Sequence, residues 1–179
     1  NNDNNFCALI VDADTTINGG PQGGIVFDDE NGDGGYAINV RKGANLVING
    51  GTYGAGGTAV QVQKGTVTIN GGHFYGMSAE TSCIFTMTST ASGSKATVVI
   101  NGGIFETTPS NGTYFVLNHQ DSFTTGCTMT VNGGKFRNYN PGVTVVDPVN
   151  AKTGKIVLGD GCTTTSETVG SDTWYTVSK

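Results

Sequence analysis

The chain has 179 residues and a net charge of −5, and 29 of its residues are glycine. Hydrophobic residues make up 36% and charged residues only 13%, which excludes a disordered chain, and glycine does not recur at every third position, which excludes collagen. The acidic balance argues against nucleic acid as a partner, because phosphate binding relies on clustered Lys and Arg. The lack of an apolar run of about 18 residues predicts no membrane span.

Residues 1–14 are the predicted N-terminal edge of a single domain that spans 1–179. Seven of the acidic residues and none of the basic residues lie in the first 35 positions, so this end is acidic. Asp12 and Asp14 lie on one side of an extended segment, about 6.6 Å apart by strand rise, and glycoside hydrolases use carboxyl pairs at about this spacing. Two solvated edge residues explain the same pattern, and we favour that interpretation.

An acidic, glycine-rich segment at 29–34 contains the strongest local motif. Asp29, Asn31 and Asp33 place side-chain oxygens at positions 1, 3 and 5 of a loop, and a glycine follows them, as in the first half of a calcium loop. The twelfth position is Val40 rather than Glu, which excludes an EF-hand. The segment predicts either a structural calcium site or an acidic turn that needs no ion. No other cofactor is predicted.

The triplet Asn-Gly-Gly recurs five times along the chain, and its spacing defines the repeat. The intervals are 31, 21, 31 and 31 residues, which indicates a coil of about 21 residues with ten-residue loops inserted in three of the four intervals. Asn and Gly tolerate the backbone of a bend, and stacked amides form hydrogen-bonded ladders. The predicted ladder consists of Asn18, Asn49, Asn70, Asn101 and Asn132.

The side chains around each triplet sort into columns, because side chains alternate across a strand. The positions one and three before each Asn are apolar in every full copy and are predicted to point inward. The position four after the Asn is aromatic and is predicted to close the core, in a ladder of Tyr53, Phe74, Phe105 and Phe136. A second strand series precedes the first by about nine residues, at 8–11, 37–40, 59–62, 84–87, 115–118 and 143–146.

These columns predict an all-β fold, a right-handed parallel β-helix (β-solenoid) with about six coils and inserted loops, whose repeats cover residues 15–161. A helical repeat protein would need apolar residues at a period of about 3.6. Antiparallel hairpins, which Asn-Gly also favours, do not explain identical columns at fixed spacing.

The repeat at 67–74, which reads V-T-I-N-G-G-H-F, resembles the T-I-N-G-G-x-F repeats of secreted bacterial β-helix proteins of the pectin-lyase-like superfamily. The resemblance implies an extracellular protein that contacts glycans or surfaces, sometimes through lyase or glycosidase chemistry. No catalytic motif of those enzymes carries over to a residue of this chain, so no catalytic residue is predicted. Arg41 and Arg137 belong to distant coils, and His73 and His119 are isolated in the sequence.

Four cysteines lack the C-x-x-C spacing that is typical of zinc sites. Disulfides and buried free thiols both remain open, and four cysteines allow three pairings between which the sequence does not choose. These residues are Cys7, Cys83, Cys127 and Cys162.

Residues 162–179 are predicted to be a C-terminal cap or an assembly segment. The run at 173–177, which contains Trp174, is β-prone, and three lysines lie near this end of the chain. The ends of a β-solenoid present unpaired backbone groups that another chain can use. Together with the acidic N-terminal end, this predicts self-association into a homo-oligomer or a fibre.

The sequence therefore predicts a non-enzymatic structural or adhesive module, a surface or fibre protein that is extracellular or on the cell surface. Its predicted partners are further copies of itself and glycans or a cell surface. The alternative is a carbohydrate-binding or carbohydrate-degrading β-helix of the pectin-lyase type. An exposed groove lined by Tyr, Trp and paired acids would favour that alternative.

Overall fold

The structure is a computed structural model that describes residues 7–27, 35–77, 82–86, 95–107, 116–119, 128–143 and 156–179. The regular elements in these ranges are β-strands, so the chain is all-β. Among the same residues, no helix has the length and the apolar composition of a membrane span.

Within the described ranges, eighteen strands, numbered in chain order, form three sheets. Sheet A consists, in spatial order, of β1 (Cys7–Val11), β4 (Tyr36–Val40), β7 (Thr58–Val62), β10 (Ile84–Thr86) and β13 (Leu117–His119). Sheet B consists of β2 (Thr15–Asn18), β5 (Ala44–Gly50), β8 (Gly65–Ile69), β11 (Ala96–Ile100), β14 (Thr128–Val131) and β16 (Ile156–Leu158). Sheet C consists of β3 (Gly24–Phe27), β6 (Thr52–Ala55), β9 (His73–Gly76), β12 (Ile104–Thr107), β15 (Gly134–Arg137), β18 (Asp172–Ser178) and β17 (Thr163–Val169).

Neighbouring strands in each sheet come from successive repeats, and up to β15 and β16 they run parallel. The register is constant across the middle of sheet B, where Val67 pairs with Leu46 on one side and with Val98 on the other. Each residue therefore meets its equivalent in the next repeat. The columns that the sequence suggests are columns of hydrogen-bonded neighbours in the structure.

The core is built from the inward columns of sheets A and B and from the rings of sheet C. The residues one and three before each Asn are buried in the four complete copies, with the pattern buried–intermediate–buried repeated from strand to strand. Burying such side chains stabilises the fold by about 1.5–3 kcal/mol each. These residues are Leu46, Ile48, Val67, Ile69, Val98, Ile100, Met129 and Val131.

The aromatic column forms a continuous stack inside sheet C. Ring centroids are 5.1 Å apart between Tyr53 and Phe74, and 5.0 Å between Phe74 and Phe105. The distance between Phe105 and Phe136 is 4.9 Å, and the ring planes within each of the three pairs are nearly parallel. Tyr139, which no repeat column contains, is buried beyond Phe136 at 6.4 Å and ends the stack.

In the last four Asn-Gly-Gly triplets, two features of the structure favour glycine as the third residue. At Gly72 the backbone has φ +118, and at Gly103 it has φ +117, a region that side chains disfavour. A Cβ at Gly103 would also lie 3.0 Å from the carbonyl oxygen of Gly72 and 3.2 Å from the ring of Phe105. The bend brings consecutive repeats and the aromatic ring too close together for any side chain.

The five asparagines of the triplets lie in one row along the outside of this bend. Each of the last four donates an Nδ2 hydrogen to the Oδ1 of the asparagine one repeat earlier, at distances of 2.6, 2.7, 2.9 and 2.9 Å. The row ends at Gly159, where a Cβ would lie only 1.8 Å from Oδ1 of Asn132. The last, degenerate copy therefore has glycine where the other copies have asparagine.

The C-terminal segment folds back on the chain's own sheet C. Strand β18 pairs antiparallel with β15, and β17 pairs antiparallel with β18. Asn138 fixes this hairpin: its Oδ1 accepts the backbone N–H of Thr173 and its Nδ2 donates to Asp172, both at 2.8 Å. The strand expected at 143–146 is not seen at Val143, which lies in a bend, and 144–146 lie outside the described residues.

Three of the four cysteines, Cys7, Cys83 and Cys162, are free thiols in the described part of the chain. Cys83 is fully buried, and its Sγ donates to the carbonyl oxygens of Phe74 and Glu106 at 3.2 and 3.0 Å. Burial raises the pKa of the Cys83 thiol far above its usual value. The fourth cysteine, Cys127, lies outside the described residues.

Candidate functional site

The outward face of sheet C carries two columns of side chains, one on each side of the buried rings. Strands β9, β12 and β15 read H-F-Y, I-F-E and K-F-R around the ring, and the flanking residues are partly or fully exposed. The column before the rings contains Thr52, His73, Ile104 and Lys135, and the column after them contains Gly54, Tyr75, Glu106 and Arg137.

The second column brings together a cluster of interacting polar side chains, here called the Arg137 cluster, which consists of His73, Tyr75, Glu106, Arg137 and Asp172. Nε2 of His73 lies 2.5 Å from one carboxylate oxygen of Glu106, and Nη1 of Arg137 donates to the other at 3.4 Å. Nη2 of Arg137 lies 2.7 Å from Oδ2 of Asp172 on β18. Two acids from different strands are thus held by one guanidinium.

The electrostatics of the cluster follow from these contacts. The hydrogen bond from Arg137 holds the pKa of Asp172 below its usual value, and Asn138 adds to the effect. In return, Asp172 raises the pKa of Arg137 above its usual value. Asp172 and Arg137 are therefore both charged over the whole neutral range, and they act as a fixed acceptor and a fixed donor.

Tyr75 supplies the aromatic surface of the cluster. Its ring lies over Gly54, where a Cβ would come within 2.3 Å of a ring carbon, so the absence of a side chain at 54 makes room for it. The ring is 5.3 Å from that of His73 and tilted by 39°. Trp174 of β18 stands opposite Arg137 in the register, so a second aromatic side chain borders the cluster.

The cluster borders an open surface pocket of about 290 Å³, which is lined by His73, Tyr75, Glu106, Thr107 and Arg137. A partly exposed ring beside a carboxylate and a guanidinium gives one surface for stacking, one acceptor and several donors. This combination suits a small ligand that has an apolar face and several hydroxyl groups, such as a sugar.

A second depression, here called the glycine trench, runs along the bend between sheets B and C and has a volume of about 640 Å³. Its floor consists of the glycines of successive Asn-Gly-Gly turns. Its side towards sheet C is formed by the first outward column, including His73, Ile104 and Lys135. Because His73 lines both depressions, the glycine trench and the Arg137 cluster are adjacent.

The outward face of sheet B differs sharply from that of sheet C. Its six strands contain no Asp, Glu, Lys or Arg. Thr66, Thr97 and Thr128 are neighbours in register and form one outward column. Charged and aromatic side chains are therefore concentrated on the outside of sheet C, which makes that face the candidate site.

The carboxyl pair noted at the N-terminal end is used to connect repeats. Asp12 accepts two hydrogen bonds from Arg41 at 3.0 Å and lies 2.6 Å from Nζ of Lys42. Arg41 first and then Lys42 lower the pKa of Asp12. Asp14 accepts the backbone and side-chain N–H groups of Asn45, both at 2.9 Å. Both acids therefore bond to the second repeat.

The remaining candidate residues of the sequence lie elsewhere. Asp29, Asn31 and Asp33 are outside the described residues, so the calcium loop stays a prediction. In the part of the chain that the structure describes, no group of three His, Cys, Asp or Glu side chains is placed to hold a metal ion. His119 is buried in β13 of sheet A and lies away from the Arg137 cluster.

Sequence reasoning treated His73 as isolated and did not find the cluster around it. The sequence does contain a pattern that predicts part of the cluster. In H-F-Y, I-F-E and K-F-R the aromatic ring points inward, so the residues before and after it both point outward. Asp172 and Trp174 could not be placed from the sequence, since they join through the antiparallel pairing of β18 with β15.

Comparison with protein-family models, curated proteins and solved structures gives no match to the chain.

Proposed function

We propose that the three sheets are the sides of a right-handed parallel β-helix with about six coils of roughly 21 residues and inserted loops. Each of the first five repeats contributes one strand to each sheet, and neighbouring repeats pair in parallel and in register. A chain that visits three sheets in turn, once per repeat, is the connectivity of a β-solenoid. The antiparallel hairpin β17–β18 is its C-terminal cap.

The function proposed for this β-helix is that of a non-enzymatic, extracellular adhesive module that binds a carbohydrate. One observation carries the proposal: the Arg137 cluster places the Tyr75 ring, the Glu106 carboxylate and the Arg137 guanidinium around one surface cavity. The sequence-based expectation for a carbohydrate-binding β-helix is an exposed groove lined by Tyr, Trp and paired acids, and Tyr75 and Glu106 line this pocket. Aromatic rings with a few fixed polar groups are typical of small-ligand sites.

The hydrogen bonds and ion pairs of Glu106 and Asp172 support carbohydrate binding rather than carbohydrate hydrolysis. A glycosidase needs one carboxyl that is free to donate a proton and a second that acts as nucleophile or base. Here Glu106 is shared between His73 and Arg137, and Asp172 is bonded to Arg137 and Asn138. Each acid is occupied in holding the shape of the cluster.

We also propose that the chain self-associates through its N-terminal end. Strands β1, β2 and β3 have one hydrogen-bonded neighbour each among the described residues, and Ile10 and Val26 on two of these strands are 40% and 52% exposed. Such an edge can pair with a second copy. Light scattering over a range of concentrations tests this, and a strict monomer at high concentration contradicts it.

Binding of immobilised glycans by the purified chain tests the carbohydrate proposal. We expect Tyr75→Ala to weaken binding about fivefold, because a stacking contact contributes about 1 kcal/mol and a tenfold change corresponds to about 1.4 kcal/mol. Thr97→Ala, an outward change on sheet B, is the matched control and should bind as the parent does. The proposal fails if no glycan is retained, or if the two variants bind equally. Release of shortened sugars would instead indicate an enzyme.

A further inference from the structure

The outward side of sheet B carries three columns of side chains. Side chains alternate across a strand, so the residues two and four positions before each triplet asparagine point outward together with that asparagine. These side chains are partly or fully exposed, and the register places each beside its equivalents in neighbouring repeats. This surface is here called the threonine face. Its columns are Asn45, Thr66, Thr97 and Thr128; Thr16, Val47, Thr68, Val99, Thr130 and Val157; and Asn18, Asn49, Asn70, Asn101 and Asn132.

The threonine face is uncharged and uniform in shape. Its six strands contain no Asp, Glu, Lys or Arg, and Asp14, just before β2, marks its border through hydrogen bonds to Asn45. In the second column threonine and valine alternate from repeat to repeat. Both side chains branch at Cβ and are stiff, so this column keeps one shape while hydroxyl and methyl groups alternate along it.

The repeats that carry the threonine face are stacked with little rotation. Neighbouring strands of a sheet are ordinarily rotated by about 20–25°. The rings of the aromatic stack, one per repeat, are inclined by only 16°, 7° and 9° between successive repeats. The asparagine ladder spans five repeats with hydrogen bonds of 2.6–2.9 Å, and side-chain ladders hold sheets flat. The face is therefore flat, and its columns run straight.

A flat array of this kind has two fixed spacings. Equivalent side chains in neighbouring strands are about 4.8 Å apart, and side chains two positions apart on one strand are about 6.6 Å apart. Water oxygens on a prism face of ice form a rectangular net whose repeats are close to these two distances. Threonine hydroxyls donate and accept hydrogen bonds, and the methyl groups between them leave neighbouring waters to bond to one another. A charged side chain would instead orient water around itself.

The size and composition of the threonine face disfavour a second protein as its occupant. Five strand spacings by four residues cover roughly 24 Å by 13 Å, or about 300 Å². A stable protein–protein interface buries about 800 Å² on each partner. Tyr, Trp and Arg, which dominate the binding energy of such interfaces, are absent from the six strands of sheet B.

We propose that the threonine face binds the surface of ice, through a layer of water that its hydroxyl and methyl groups hold in the pattern of the crystal. Bound molecules force the ice to grow as curved surfaces between them, which lowers the freezing temperature below the melting temperature. This activity is separate from the proposed carbohydrate function, because the threonine face and the Arg137 cluster lie on different sheets.

The experiment measures the gap between melting and freezing temperatures of a single ice crystal in a solution of the purified chain, and the uptake of the chain into slowly growing ice. The parent should open a gap and enter the ice. Thr97→Tyr raises a bulky ring between Thr66 and Thr128 and should abolish both effects. Ile104→Tyr is the matched control: it lies in the same repeat, on the outward side of sheet C, is 42% exposed, and should behave as the parent does.

Two further variants separate the surface from the fold. Thr128→Lys places a charge at an exposed position of the first column and should cause the same loss as Thr97→Tyr, with the circular dichroism and melting temperature of the parent. Val99→Thr keeps the branched shape and adds a hydroxyl, so ice binding should be retained.

Three results overturn the inference. The first is a parent that opens no temperature gap and is excluded from growing ice. The second is an equal loss of ice binding in folded Ile104→Tyr and Thr97→Tyr, which would show that the threonine face is not responsible. The third is a parent dimer that Thr97→Tyr converts to a monomer in light scattering, which would make the face an interface between copies. Each of these leaves the carbohydrate function to stand or fall on Tyr75→Ala.

Discussion

The aromatic stack inside sheet C allows a stability prediction with a worked magnitude. Phe105 is fully buried and stacks on Phe74 at 5.0 Å and on Phe136 at 4.9 Å. Removing a buried phenylalanine to alanine costs about 3–5 kcal/mol in free energy of unfolding, including the cavity. Stacked pairs contribute about 0.5–1.5 kcal/mol each beyond burial, so Phe105→Ala should lose about 4 kcal/mol.

Phe105→Leu separates the two contributions. Leucine fills most of the space but cannot stack, so this variant should lose about 1–3 kcal/mol, the value of two stacking contacts. Ile104→Ala is the control, because Ile104 is the adjacent residue and is 42% exposed. It should change the free energy by less than about 1 kcal/mol.

Urea unfolding followed by circular dichroism measures these differences from the transition midpoint at constant slope. The fluorescence of Trp174, the chain's single tryptophan, reports on the C-terminal hairpin in the same experiment. The reasoning is refuted if Phe105→Ala costs no more than Ile104→Ala. If Phe105→Leu is as stable as the parent, the rings are buried but their stacking contributes nothing.

Three further outcomes are expected. If Asp29, Asn31 and Asp33 hold calcium, millimolar calcium should raise the melting temperature by binding the native state, and Asp29→Ala combined with Asp33→Ala should abolish the gain; no shift in the parent supports the ion-free turn. Because its arginine partner lowers the pKa of Asp172, the stabilisation from this carboxylate is present above its ordinary pKa of about 4 and is lost as pH falls through the lowered folded value. The urea midpoints of the parent and of Asp172→Asn should differ near neutral pH and converge in acid; a constant difference contradicts this. A thiol reagent should label the half-buried Cys7 in the folded chain and reach Cys83 only on unfolding; equal rates would show that Cys83 is accessible.

The core was predictable from the sequence because it depends on local alternation repeated at a fixed spacing. Ile69, Ile100 and Val131 are buried one position before their asparagines, and the period-two pattern around each triplet is sufficient to place them. Parallel, in-register pairing then follows, since it is the arrangement that puts equivalent residues next to each other.

The candidate site was harder to predict from the sequence than the core, because part of the site lies outside the repeats. Glu106 and Arg137 occupy equivalent positions in neighbouring repeats, so the columns could have placed them side by side. Asp172 and Trp174 belong to a hairpin that runs antiparallel to the repeats, and its register is set by Asn138, which is in the left-handed region at φ 52. Nothing in the repeat pattern specifies that contact. Tyr139 likewise lies outside the repeat columns, although its ring is buried beside Phe136.

The constant register across repeats has a consequence for how such a chain can change over generations. An interior strand pairs with the strand before it and the strand after it, and these carry the same columns. A duplicated gene segment of 21 or 31 residues, inserted at an Asn-Gly-Gly triplet, would meet compatible neighbours on both sides, and deletion of one would close the gap equally well. Length can therefore vary by whole repeats through tandem duplication, while the hairpin at the C-terminal end, which fits only one partner strand, is constrained to stay unique.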